Sequence, residues 1–150
     1  MARPYIGGTS GGVESINSAK TITSADHGKV FMVTNTAGGG SGYVITLLTP
    51  AEAGIGFSCK FMNNCAAGGT LASGNNDDVM LDSGINDELT VKFIDAGDTG
   101  ASSVVHDAQA NQIGFNNSSV KGDYIEIFTD GVTWHAFAIS GVDGGIRYTT

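Results

Sequence analysis

With 150 residues the chain is long enough for one domain with a core of its own. Only 15% of the residues are charged and 23 are glycine, which excludes long surface helices and favours a turn-rich β protein that assembles with its own copies or with a larger body. The net charge of −8 excludes nucleic-acid backbones and anionic membranes as partners, since no basic patch or arm is present to neutralise phosphate.

Residues 1–20 lack the basic start and apolar run of a signal peptide, and no apolar run reaches the length of a transmembrane helix, so synthesis in a cytoplasm is expected. The same residues predict an extended arm, because Pro4 and two glycine pairs oppose regular structure. Left alone such an arm is disordered; against a neighbour, Tyr5 and Ile6 would anchor it.

The folded domain is expected over residues 21–150. Residues 24–28 read as a turn or one helical turn, and 29–34 as a strand whose apolar VFMV centre suggests an interior position. A flexible AGGGSG loop leads into a strand at 43–48. Thr49 then caps a helical turn that Pro50 opens and Gly54 stops. Residues 57–62 alternate Phe57, Cys59 and Phe61 against Ser58 and Lys60, the pattern of a half-buried strand. After a polar passage at 63–78 comes a short strand at 79–81, placed at an edge. Leu89, Val91 and Phe93 point inward from the strand at 89–94, with Thr90 and Lys92 outward. Residues 102–119 hold two short strands, around Val104-Val105 and over 113–115.

Residues 121–140 carry the strongest signal. Tyr124, Glu126 and Phe128 share one face of a strand, and Ile125, Ile127 and Thr129 the other. Asp130-Gly131 predicts a tight I′-type turn, since glycine accepts the positive φ it demands. The return strand sets His135, Phe137 and Ile139 against Trp134, Ala136 and Ala138, with period two rather than a helical repeat. A last strand is expected at 146–148. The total is an all-β fold: an antiparallel β-sandwich or jelly roll, whose strand order the pattern leaves open, with an extended N-terminal arm.

Catalytic patterns are missing. The sequence has no G-x-S-x-G elbow, H-E-x-x-H pair or Walker A loop, and GGGSG lacks the lysine of a phosphate cradle. His106 beside Asp107 is the best placed for acid-base or metal work; His27 beside Asp26 fits a turn network, and His135 a packed or interfacial position. The acidic groups Asp77-Asp78 with Asp82, and Asp95 with Asp98, lack the spacing of a calcium loop and read as solvated turns. No catalytic, cofactor or metal site is therefore expected. Cys59 reads as a buried free thiol; a hairpin disulfide to Cys65 is opposed by a cytoplasmic origin. Trp134 suits either a sugar platform or core and inter-subunit packing, and its two-faced strand favours packing.

Several of these stretches together resemble a module of tailed-bacteriophage structural proteins, found in capsid decoration and head-fibre proteins and in tail-fibre and tail-tip domains. Residues 24–29, SADHGK, resemble its T-x-x-D-x-G-K entry, and Ile45 to Pro50 its V-T-L-P strand end, with Leu48-Thr49 as a departure. Ala53-Gly54 with Phe57 and Phe61 resembles A-G-x-x-F-x-F, and Gly122 to Trp134 the closing hairpin. The likeness spans much of residues 21–139 and concerns turns and core aromatics. It implies a non-enzymatic virion protein: a homotrimeric decoration or cement protein on the outer surface of the capsid, bound to the major capsid protein. Contact residues are then expected at Tyr5 and Ile6 in the arm and at Trp134, His135 and Phe137 in the last hairpin. The alternative is a tail-fibre or tail-tip module for host recognition, with a carbohydrate as one candidate target.

Overall fold

The computed structural model describes residues 11–34, 42–64, 79–85, 88–96 and 103–150. The described strands, numbered along the chain, form two sheets. One holds, in spatial order, β1 (Val13–Ile16), β3 (Val30–Val33), β5 (Ser58–Asn63), β10 (Tyr124–Thr129), β11 (Trp134–Ser140), β7 (Leu89–Asp95) and β8 (Ser103–Ala110). The other holds β12 (Ile146–Thr149), β9 (Gln112–Phe115), β6 (Val79–Asp82), β4 (Tyr43–Thr46) and β2 (Lys20–Thr21). Phe31, Phe61, Ile125 and Ile127 from the first sheet and Ile45, Leu81, Ile113 and Phe115 from the second belong to one buried core. The fold is an all-β sandwich, as the alternating pattern predicts.

Strand direction differs from the expectation. Half of the pairings are parallel: β1 with β3, β3 with β5, β11 with β7, β2 with β4, and β4 with β6. The first six strands alternate between the sheets, so β1–β2, β3–β4 and β5–β6 make three turns of a flattened coil. Each same-sheet strand is then a full turn after its predecessor and runs the same way. Period-two alternation reports which face is buried and carries no information on direction. Only β7–β8 and β10–β11 follow one another within a sheet. The short strand at 79–81 is β6, which lies inside its sheet between β9 and β4 rather than at an edge. Gly114 of β9 permits that pairing, because a side chain there would run into the carbonyl of Val79 and into Met80.

The N-terminal expectation needs a second correction. Tyr5 and Ile6 lie outside the described residues, but Val13–Ile16 is an ordered edge strand, with Ile16 buried. An ionic cluster fixes it: Glu14 bridges Lys20 at 2.8 Å and Lys29 at 3.0 Å, and Lys29 also meets Asp26 at 2.7 Å. Hydrogen bonds from the two lysines hold the Glu14 carboxyl below its ordinary range. Burial pushes Asp26 up, but bonds from Lys29 and from the Thr23 amide and hydroxyl outweigh it and leave its pKa lowered.

The helical turn appears as α1 (Pro50–Ala53), capped by Thr49, whose hydroxyl accepts the Glu52 amide while Glu52 reaches back to the Thr49 amide. In the last hairpin Thr129 pairs with Trp134, so the connection is the four residues 130–133 and not a two-residue turn. The Asp130 carboxylate sets it by accepting the amides of Val132 at 2.9 Å and Thr133 at 2.8 Å, with Gly131 at φ 90°. Ile125, Ile127 and Thr129 face the core together with Trp134, Ala136 and Ala138.

Trp134 is fully buried, packs edge-on to Phe57 at 5.8 Å and donates its indole N–H to the carbonyl of Leu48 at 2.9 Å. It therefore ties β11 to the segment entering α1. Trp134→Phe keeps most of the ring but leaves that carbonyl without its donor, a loss of about 1–3 kcal/mol. Trp134→Ala also opens a cavity and should cost about 3–5 kcal/mol. Urea unfolding of the two variants should show this order; equal, small losses would contradict the placement.

Candidate interaction face

The outward side of the seven-stranded sheet is unusually apolar for a solvent-facing surface. Cross-strand register builds it in rows. Met32, Met62, Tyr124, Ile139 and Ile94 lie side by side across β3, β5, β10, β11 and β7. The next row runs Val13, Val30, Lys60, Glu126, Phe137 and Lys92, and a third Ser58, Phe128, His135 and Thr90. Most of these residues are half-buried, while Phe128 is 51% exposed. The charge is sparse and largely paired: Lys60 bonds Glu126 at 2.9 Å and lies 3.9 Å from the centre of the Tyr124 ring.

The opposite outer face has a different character. Thr46, Asp82, Gln112 and Thr149 make one row of the five-stranded sheet, with Gln112 donating to Asp82 at 2.6 Å. Val44, Met80, Gly114 and Arg147 make the next, with Met80 buried and Arg147 exposed. A sheet needs one apolar face to close its core; the seven-stranded sheet has two.

Phe128 is the relief of that second face. Its ring stacks on His135 at 4.9 Å, and His135 Nε2 lies 3.4 Å from the Asp130 carboxylate. A depression of about 250 Å³ lies on one side of Phe128, bounded by Gly28, Ser58, Lys60 and Glu126. Another of about 260 Å³ lies on the other, bounded by Thr90, Lys92, His135 and Phe137. At the end of the sandwich Ile55 and Val132 are strongly exposed, beside the tight turn at Gly131.

The expected contact residues thus divide. His135 and Phe137 stand on this outer face. Trp134, their neighbour in sequence, points the other way into the core, so its expected contact role is corrected to core packing. Phe128, Tyr124, Met32 and Met62 were not singled out from sequence, although the alternation that grouped Tyr124 with Phe128 held the signal.

The remaining candidates serve structure where they are described. His27 accepts the Ser58 amide on Nδ1 at 3.1 Å and packs against Phe57. His106 lies on β8 opposite Lys92, and its side chain is outside the described residues, as are Cys65, Asp77, Asp78 and Asp98. Cys59 is a free buried thiol, pushed up to about 12 mainly by burial, so it is not a nucleophile at neutral pH. Among the described residues no three His, Cys, Asp or Glu side chains gather to hold a metal ion, and no helix is long and apolar enough to cross a membrane.

Near the β7 and β11 ends lies a buried polar knot. Asp123 accepts the hydroxyls of Ser119 at 2.8 Å and Ser140 at 3.0 Å and the amides of Val120 and Gly141, while Asn63 donates to Ser119. Asp95, buried nearby, leaves one carboxyl oxygen without a partner. Burial first, then the neighbouring charges of Asp143 and Asp123, raise its pKa to about 6, against which the Gly144 and Ile146 amides pull down. A carboxyl raised in the folded state contributes stability at low pH that is lost as pH climbs through the folded value. The protein should therefore lose stability between pH 4 and about pH 6 on account of Asp95. Asp95→Asn should flatten that slope and gain about 1–3 kcal/mol at pH 7. Thermal unfolding across this range checks it; an unchanged slope in the variant would refute the assignment.

No protein-family model, no curated protein and no solved structure matches the chain.

Proposed function

We propose that the chain is a structural protein of a tailed-bacteriophage virion, a decoration or cement protein that binds the outer capsid surface and stabilises the shell. The observation that carries the structural part is the apolar outer face of the seven-stranded sheet, built from Met32, Met62, Tyr124, Phe137 and Ile139. Such a face serves binding rather than chemistry, and His27 and Cys59 are engaged in the fold, His27 accepting the Ser58 amide and Cys59 buried as a free thiol. The phage assignment rests on the resemblance of several stretches within residues 21–139, mainly turns and core aromatics, to that structural module. Its partners are the major capsid protein and further copies of the chain, trimeric in that reading, with no enzymatic activity and no nucleic acid or membrane bound.

The mechanism is multivalent burial. Each copy in an oligomer adds a modest contact, and linkage raises the effective concentration of the next one. A ligand that binds the assembled shell and not the dissociated subunits stabilises it by mass action. Host recognition through a glycan is less well supported, because Trp134, the natural sugar platform, is buried and already bonded to Leu48.

Co-sedimentation with purified, undecorated capsids of the phage that encodes the chain tests the reading. Saturable binding, with a rise of several degrees in the capsid melting temperature, is expected. Failure to bind, together with specific binding to host-surface glycans, would overturn it in favour of a tail-tip role.

A further inference from the structure

We infer that the outer face of the seven-stranded sheet is the surface by which copies of this chain meet one another, through Phe128 and Phe137. The inference depends on neither the capsid nor the trimer of the proposed function, because one face that meets its own copy pairs two chains.

Size is the first argument. The six strands from β1 to β7 that carry these rows, about 4.8 Å apart and rising about 3.3 Å per residue, span roughly 24 by 20 Å. That footprint is roughly 480 Å² in projection, and side-chain relief raises it toward the roughly 800 Å² per partner of a standard interface. The second is shape. Phe128 projects between two depressions of about 250 and 260 Å³, one closed by Ser58 and Lys60 and the other by His135 and Phe137. A projection beside recesses is self-complementary: the same patch on a second copy offers a recess for Phe128 and a projection for its own. Methionines at 32 and 62 can adjust to fill what remains.

Charge is the third. The whole chain is at −8, so copies repel one another in general. Among the described residues, the charged strand residues on this face are Lys60, Glu126 and Lys92, a balance of one positive charge, and Lys60 is already paired with Glu126. Two copies meeting here avoid the repulsion that the acidic remainder imposes. The outer face of the five-stranded sheet, with its Thr46–Asp82–Gln112–Thr149 row, has neither the apolar area nor the relief.

The full chain, its Phe128→Lys and Phe137→Lys variants, and Thr46→Lys as a control on the other sheet, should be compared by sedimentation velocity from 1 to 100 µM. Circular dichroism and thermal unfolding establish that each is folded. Wild type and the Thr46 variant should sediment as a dimer of the 15.3 kDa chain, and the two Phe variants as monomers, with association weakened at least tenfold. Should either Phe variant fail to fold, Phe137→Ser supplies the same comparison with no added charge. A wild type that stays monomeric throughout overturns the inference. So does an oligomer that survives every substitution on this face. A monomeric wild type whose capsid binding is lost in the Phe variants assigns the face to the capsid instead, which overturns the inference while sparing the decoration role. A wild type that pairs through this face yet binds no capsid would sink the decoration role and leave this surface standing.

Discussion

The rest of the structure depends on how often the chain changes sheets. Nearly every connection between described strands crosses from one layer to the other, and each crossing commits one face of the arriving strand to the space between them. Hydrophobic burial then does the selecting: a one-residue slip would turn Phe31, Phe61, Ile125 and Ile127 outward at once, so register is held by apolar area rather than by turns. The parallel pairings of β1, β3 and β5 follow from this winding, as do those of β2, β4 and β6.

The same constraint makes the second apolar face informative. The core is complete without Met32, Met62, Tyr124, Phe137 and Ile139, since the inward residues of both sheets already form one buried cluster. Apolar groups that the core does not use, aligned across neighbouring strands, have their natural use in contact with another surface. The hairpin of β10 and β11 serves both sides of this division. Its inner face gives Trp134, anchored to Leu48 and Phe57, and its outer face gives Phe128 and Phe137. At the far end of the sheet the ions around Glu14 and Asp26 hold the first strand, so the face extends to the β1 edge. Their lowered carboxyl pKa values favour the fold above the acid range, whereas the raised value of Asp95, to which the charges of Asp143 and Asp123 contribute, opposes it near neutrality.

Much of this was legible in the residues, and what escaped did so for identifiable reasons. The alternation of Leu89 to Phe93 and of Tyr124 to Thr129 gave strand positions and faces, and Thr49-Pro50 with Gly54 gave the helical turn. Parallel winding was invisible because alternation is the same in either direction. The strand at Val13–Ile16 was hidden because its support comes from Lys20, Lys29 and Asp26, contacts that folding alone assembles. The turn at Asp130 was lengthened by a carboxylate accepting two amides, a choice that an Asp-Gly pair does not reveal. Among the expected contact residues, the alternation placed His135 and Phe137 on the face opposite the core. Trp134 was misassigned because a large aromatic suits an interface and a core equally well, and only the opposing sheet decides between them.

The central claim is that Met32 and Met62 lie on an open face that a second copy covers, while Met80 lies on the other sheet. Oxidative footprinting reads this directly, because a thioether becomes a sulfoxide in proportion to its exposure. At dilution Met32 and Met62 should be oxidised more readily than the buried Met80, and raising the concentration should protect Met32 and Met62 severalfold while leaving Met80 as it was. Oxidation of Met32 and Met62 that is unchanged by concentration would contradict the account.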